Sequence, residues 1–229
     1  MRTIGLLGGM SWESTAVYYR LLNQVWAQRN GPWEQPEILL YSVNFRELES
    51  LQRTEQWDAA ARMLVEGAER LERAGAALLG ICANTMHIAA AEVAAGVPAL
   101  EVVDVRKAVA AAAADRGLGA VALLGTRYTM ERPFFVDELT AAGIGVVLPS
   151  PDDRAELQRI VYDELTQGIV TPESRAAMLR IIEDCVARGA DGAALCCTEF
   201  GLLVDDRVTA RPLIDSTTEH VRAILDAAA

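Results

Sequence analysis

Cys197-Thr198-Glu199 follows directly on the apolar run 191–196. A thiol at the end of a strand meets the N-terminus of the next segment, where backbone N–H groups favour a thiolate. Such a group can serve as a nucleophile or as a proton donor and acceptor. The competing reading is a buried cysteine that behaves as a small hydrophobe. A second copy of the loop tips the balance towards chemistry. Ile81-Cys82-Ala83-Asn84-Thr85 aligns with Leu195-Cys196-Cys197-Thr198-Glu199 at an offset of 114 residues. The same offset pairs Ala74-Gly75-Ala76 with Arg188-Gly189-Ala190 and Val97-Pro98 with Arg211-Pro212. Near the start of each half, Ile4-Gly5-Leu6-Leu7-Gly8 matches Val121-Ala122-Leu123-Leu124-Gly125 at an offset of 117. Two related halves facing each other across a cleft would each bring this loop to it. Position 197 supplies a thiol, and its mate, Ala83, supplies a methyl group.

Short hydrogen-bonding side chains surround these loops. Asn84 and Thr85 open the helix after the third strand, Thr126 and Thr129 lie on the first loop of the second half, and Thr198 follows the thiol. Singly, Asn and Thr at such positions suit helix N-capping. Together, on loops expected to converge, they suit the holding of a carboxylate or an ammonium. The Gly8-Gly9-Met10-Ser11 turn has neither GxGxxG nor GK[ST], so nucleotide binding is disfavoured. A carboxylate on the same backbone amides fits the other loops better. His87 could cap, pack, or act as an acid or base. His220 is the only other histidine, and no third ligand stands at useful spacing, so no metal is expected.

Short apolar runs at 3–7, 37–43, 76–82, 99–102, 119–124, 144–148, 191–196 and 212–214 read as strands. Amphipathic stretches at 13–29, 55–74, 86–95, 104–116, 131–142, 153–167, 172–188 and 217–227 read as helices. This alternation, with near-continuous apolar strands, indicates an α/β fold: two αβα lobes with mainly parallel sheets. Ligands in such folds bind beyond the carboxyl ends of the strands. The repeat places the first lobe at residues 1–97 and the second at 98–208, with 209–229 returning to the first.

A hydrophobic content of 52% is ample for a core in a chain of 229 residues. No apolar run approaches the roughly 20 residues needed to span a bilayer. The strand-like run at 3–7 leaves no room before it for a targeting segment, and the expected location is the cytoplasm. A net charge of −11 without any Lys/Arg cluster argues against nucleic acid or anionic membrane as a partner. The four cysteines show no CxxC spacing, which argues against disulfides and structural zinc. Lys107 is the only lysine and lies in an alanine-rich helical stretch, a poor place for the Schiff base that pyridoxal phosphate requires.

Gly8-Gly9-Met10-Ser11, Asn84-Thr85-Met86-His87 and Cys197-Thr198-Glu199, in this order and spacing, resemble the aspartate/glutamate racemase family over essentially the whole chain. The closest likeness is to its broad-specificity amino-acid racemases. These share Gly8-Gly9-Met10-Ser11-Trp12-Glu13-Ser14 and Leu124-Gly125-Thr126-Arg127-Tyr128-Thr129-Met130. The resemblance implies two lobes related by a pseudo-twofold, a homodimer, and racemisation of a small amino acid without cofactor or metal. It implies two thiols flanking the α-carbon, one removing a proton and the other delivering one. It further suggests that Asn84, Thr85, Thr126 and Thr198 hold the α-carboxylate and amino group.

Three positions depart from the family pattern. Ala83 stands where most members place the first cysteine, and members with Thr there resemble this chain most. Cys82, one residue earlier on an extended strand end, should turn to the opposite face. Gln52 and Thr166 stand near the positions where acidic-substrate members carry an arginine and a lysine, with Arg53 adjacent. An unpaired distal carboxylate in a closed site would cost several kcal/mol, so neutral or polar amino acids are expected over aspartate and glutamate. Two other readings accommodate Ala83: a one-thiol decarboxylase or isomerase of the same fold, and a silent carboxylate-binding protein.

Overall fold

The computed structural model describes residues Met1–Ala229. One sheet holds β1 (Ile4–Gly8), β2 (Ile38–Ser42), β3 (Leu78–Ile81) and β4 (Glu101–Val103) in the order β2-β1-β3-β4. The other holds β5 (Ala120–Gly125), β6 (Gly145–Val147), β7 (Gly192–Cys196) and β8 (Leu213–Asp215) in the order β6-β5-β7-β8. Every pairing is parallel. The same strand order, built twice, is the structural form of the sequence repeat. β1, β3 and β7 are buried from end to end, which is why they read as unbroken apolar runs.

The chain divides into one unit of Met1–Asp104 with His220–Ala229 and another of Val105–Glu219. The sequence repeat alone places the borders near residues 97 and 208. Strand pairing moves them: β4 joins β3 in register Leu78↔Glu101, and β8 joins β7 in register Ala193↔Leu213. Each half therefore keeps its fourth strand.

In the first unit, α3 (Trp57–Arg73) and α4 (Ala90–Gly96) bury Leu64, Ala68, Leu71 and Val93 against Leu7, Leu79 and Ile81. α1 (Trp12–Asn30) and α10 (Ser216–Ala228) cover the other face, packing Tyr18, Leu22, Val221 and Ile224 against Ile4, Leu6 and Leu78. In the second unit, α8 (Pro151–Asp163) and α9 (Pro172–Ala187) pack Leu157, Ile160, Met178 and Ile181 against Ala122, Leu124 and Leu195. On its other face α5 (Val105–Asp115) and α7 (Pro133–Ala141) bring Val109, Ala113, Phe135 and Leu139 against Val121, Leu123 and Ala194. The small side chains of the alanine run in α5 serve this face.

Some expected helices change at their ends. The one expected at 131–142 starts earlier, as α6 (Arg127–Glu131), and breaks before Pro133, which opens α7 at its first turn. α2 (Phe45–Arg53) was unassigned from the sequence. Asn44 initiates it, its Oδ1 accepting from the Arg46 N–H at 3.1 Å and its Nδ2 donating to Glu47 Oε1 at 3.2 Å. No helix is long and apolar enough to cross a membrane.

Candidate active site

β7 ends at Cys196, and Cys197 continues in extended backbone before the 3-10 turn Thr198–Leu202. Alternation along the strand decides which side chain goes where. Cys196 enters the α5/α7 core, whereas Cys197 joins the α8/α9 core. Cys197 is 7% exposed. Its Sγ donates to Glu199 Oε2 at 3.0 Å, and the Thr198 hydroxyl donates to the same oxygen at 2.9 Å. Burial, then the Glu199 charge and its hydrogen bond, push the thiol well above the ordinary thiol range, against an opposing backbone hydrogen bond from Glu199. On sequence grounds alone, the N-terminus of the following turn favours thiolate. The amide is there, but burial and an acidic neighbour outweigh it, and the resting group is a thiol.

Thr126 and Thr129 reach the same strand ends because Gly125 pairs with Cys196 in the sheet. A Cβ at Gly125 would lie 2.9 Å from the Thr129 side chain and 3.0 Å from the Cys196 carbonyl oxygen, so only glycine fits without movement. Thr126 caps α6, its Oγ1 accepting from the Thr129 N–H at 3.5 Å and lying 3.4 Å from Thr129 Oγ1. Thr166 sits in the 3-10 turn Leu165–Gln167, which packs on the turn after Cys197, and its hydroxyl donates to the Tyr162 carbonyl at 3.0 Å.

The first unit repeats the arrangement without the thiol. Ala83 follows β3 and packs into the α3/α4 core, as Cys197 does into its own counterpart, while Cys82 enters the α1/α10 core. Cys82 is fully buried, and that burial pushes its thiol far up. Sequence alternation thus directed Cys82 correctly away from Ala83. Asn84 is buried and makes no side-chain cap to the 3-10 turn Thr85–Ala89, so capping does not explain it as it explains Thr126. Gln52, buried on α2, donates from Nε2 to Met86 Sδ at 3.0 Å, tying α2 to the turn after Ala83. Arg53 points elsewhere: it is exposed and lies 3.7 Å from Glu49.

The glycine loop is spoken for in part. Gly9, at φ 83°, lies so close to Val43 that a Cβ would overlap the Val43 carbonyl oxygen. Its N–H donates to Thr15 Oγ1 at 2.8 Å, and Thr15 Oγ1 donates to the Ser11 carbonyl at 2.9 Å. Ser11 Oγ accepts from the Ser14 N–H at 3.2 Å, capping α1. The Gly9 amide is therefore committed to holding the loop rather than to an anion. Met10 packs in the same core cluster as Ala83 and Met86.

A sequence profile described as Asp/Glu/hydantoin racemase matches residues 7–224. The chain belongs to that family. A Yersinia pestis protein assigned as an Asp/Glu racemase has 41% identity, with 100% of this chain and 99% of that one covered and a TM-score of 0.92. An aspartate racemase homologue from Pyrococcus horikoshii has 33% identity over 100% and 99% of the two chains, with a TM-score of 0.87. The aspartate racemase of Picrophilus torridus, at 20% identity, covers 100% and 94% with a TM-score of 0.75 and shares the fold.

Glu199, which has no role on sequence grounds beyond its place in the Cys197-Thr198-Glu199 motif, gains one from the geometry. Its carboxylate is the direct partner of both Cys197 and Thr198. An acidic residue two positions after a candidate thiol was the available signal. Lys107 is exposed on α5, and no group of three or more His, Cys, Asp or Glu side chains is placed to hold a metal ion.

Proposed function

We propose that this family member is an amino-acid racemase or epimerase that works on the α-carbon by thiol acid–base chemistry, without pyridoxal phosphate or metal. The observation that carries the proposal is the buried Cys197 thiol hydrogen-bonded to Glu199 at 3.0 Å. In this reading Cys197 gives its proton to Glu199 Oε2, and the thiolate then takes the α-proton. A thiol held above its ordinary range yields, once ionised, a stronger base for a weakly acidic C–H bond. Asn84, Thr85, Thr126 and Thr198 hold the carboxylate and amino groups, with Met10, Ser11 and Thr129 shaping the strand-end loops around them.

Inversion requires a proton to arrive on the face opposite the one it left. Residue 83, a methyl, has none to give, so the second proton comes from water. The expected activity is consequently slow or one-directional. Gln52 and Thr166 carry no positive charge, and Arg53 lies next to Glu49, which supports neutral or polar substrates over aspartate and glutamate. A homodimer in the cytoplasm completes the reading.

The test is incubation with separate L- and D-amino acids in D₂O, following the α-proton by NMR and the product by chiral chromatography. Exchange with inversion supports the racemase. Ala83→Cys should raise turnover, and no gain in that variant would count heavily against a two-base geometry. The methyl at 83 also favours a second reading, a one-thiol decarboxylase or isomerase, in which Cys197 protonates a planar intermediate after carbon dioxide leaves. Carbon dioxide release from arylmalonates, without racemisation of any amino acid, would select it.

A further inference from the structure

The turn carrying Ala83 is held differently from its twin. In the second unit the Cys197 carbonyl accepts from the Phe200 backbone N–H at 3.0 Å, because the 3-10 turn begins at Thr198. In the first unit the 3-10 turn begins one place later, at Thr85 rather than Asn84. There the Ala83 carbonyl receives the Nδ1–H of His87 at 2.8 Å. The residue aligned with His87 at the offset of 114 is Gly201, which has no side chain to do this. On its other side Ala83 is held by its own N–H, which donates to the Ile81 carbonyl at 2.9 Å. Both peptide groups of residue 83 are thus fixed, one of them by an imidazole.

That imidazole is itself braced. Its ring packs edge-on against His220, centroids 5.5 Å apart at 73°. His220 Nε2 donates to the Val103 carbonyl at 2.8 Å, since a carbonyl can only accept. Burial lowers the His220 pKa to about 3, so the ring is neutral and its Nδ1 accepts from the Tyr18 hydroxyl at 2.9 Å. The tautomers are therefore opposite: His87 carries a proton on Nδ1 and His220 on Nε2. All three side chains are buried.

We infer that His87 is a positioning residue, whose Nδ1–H to the Ala83 carbonyl sets the direction in which the side chain of residue 83 and the adjoining Asn84-Thr85 segment are presented. The link to substrate rests on the racemase reading; the orientation of residue 83 does not. His87→Asn places an amide N–H near the position of Nδ1, whereas His87→Phe keeps an aromatic ring and removes the donor. Each is introduced into the full chain, alone and together with Ala83→Cys.

In the double variants, iodoacetamide labelling of the new thiol is followed peptide by peptide by mass spectrometry. His87→Phe should change its labelling rate severalfold, because the exposure and surroundings of the thiol follow the direction of residue 83, and His87→Asn should restore it. Equal rates in both variants overturn the inference, and this arm needs no enzymatic activity. In the single variants, α-proton exchange should show a raised KM in His87→Phe and a KM near wild type in His87→Asn. A labelling difference with no exchange in any protein, wild type included, would refute the racemase reading and leave the positioning role standing. If His87→Phe does not fold, ¹⁵N NMR of the wild-type imidazoles decides. Protonation on Nδ1 in His87 and on Nε2 in His220 supports the inference, and a His87 ring protonated on Nε2 alone overturns it.

Discussion

Glu199→Gln isolates the carboxylate charge beside Cys197 while keeping its size and an acceptor oxygen. The charge lies 3.0 Å from Sγ. Coulomb's law at that separation gives about 1.4 kcal/mol with the dielectric constant of bulk water and about 5.5 kcal/mol with an effective value near 20. Removing it makes the thiol easier to ionise, so at neutral pH the thiolate fraction rises by about tenfold at the lower figure and about ten-thousandfold at the higher. Intrinsic nucleophilicity falls as the thiol becomes more acidic and cancels nearly half of that gain on a logarithmic scale. The net expectation is a rise of roughly threefold to a hundredfold in the rate at which iodoacetamide labels Cys197. The other three cysteines are fully buried, and peptide-resolved mass spectrometry separates them. The pH at which labelling is half-maximal should move down. Racemisation should fall at the same time, because the proton acceptor is gone and the base is weaker. Labelling that is unchanged or slower, with an unmoved pH midpoint, would refute the Cys197–Glu199 pairing.

Stability should depend on His220 in mildly acidic solution. Its folded pKa, about 3, lies below the ordinary 6.5, so the unfolded chain binds more protons between those values and stability falls as pH drops through that window. The loss is about 1.4 kcal/mol per pH unit at this site, and His220→Gln, which keeps a donor for Val103, should flatten that part of a urea-midpoint profile. Gly125→Ala should cost about 1–3 kcal/mol through the contacts at Thr129 and Cys196, lowering Tm by roughly 2–4 °C per kcal/mol in calorimetry. Gln52→Arg should shift the ratio of kcat/KM values towards aspartate and glutamate; an unchanged ratio would remove Gln52 from the distal side of the substrate.

All eight strands were legible as short apolar runs, most plainly β1, β3 and β7, which are covered on both faces and so apolar along their length, whereas β2, β4 and β6 are only partly buried. The same alternation correctly separated Cys82 from Ala83. α2 escaped because it is short: Phe45, Leu48 and Leu51 keep a helical spacing, but over 9 residues that spacing spans little more than two turns. Its start depends on one asparagine. The partnership of Glu199 with the thiol was invisible for another reason. An acidic residue beside a cysteine is ordinary in sequence, and only the geometry of a 3-10 turn folds the carboxylate back onto Sγ. The balance between turn amide and burial likewise needed coordinates, since both act on one atom in opposite directions.

The Arg2 N–H bonds to the Ala228 carbonyl at 2.9 Å, and residues His220–Ala229 complete the unit that Met1 begins. The order of synthesis therefore runs against the order of the halves. A ribosome delivers Val105–Glu219 as one uninterrupted piece, with every strand of its sheet present. The earlier-made half must wait, its face at Ile4, Leu6 and Leu78 covered by α1 alone, until Val221 and Ile224 emerge. During that interval the face is only partly covered, so the half made first is the one that finishes last.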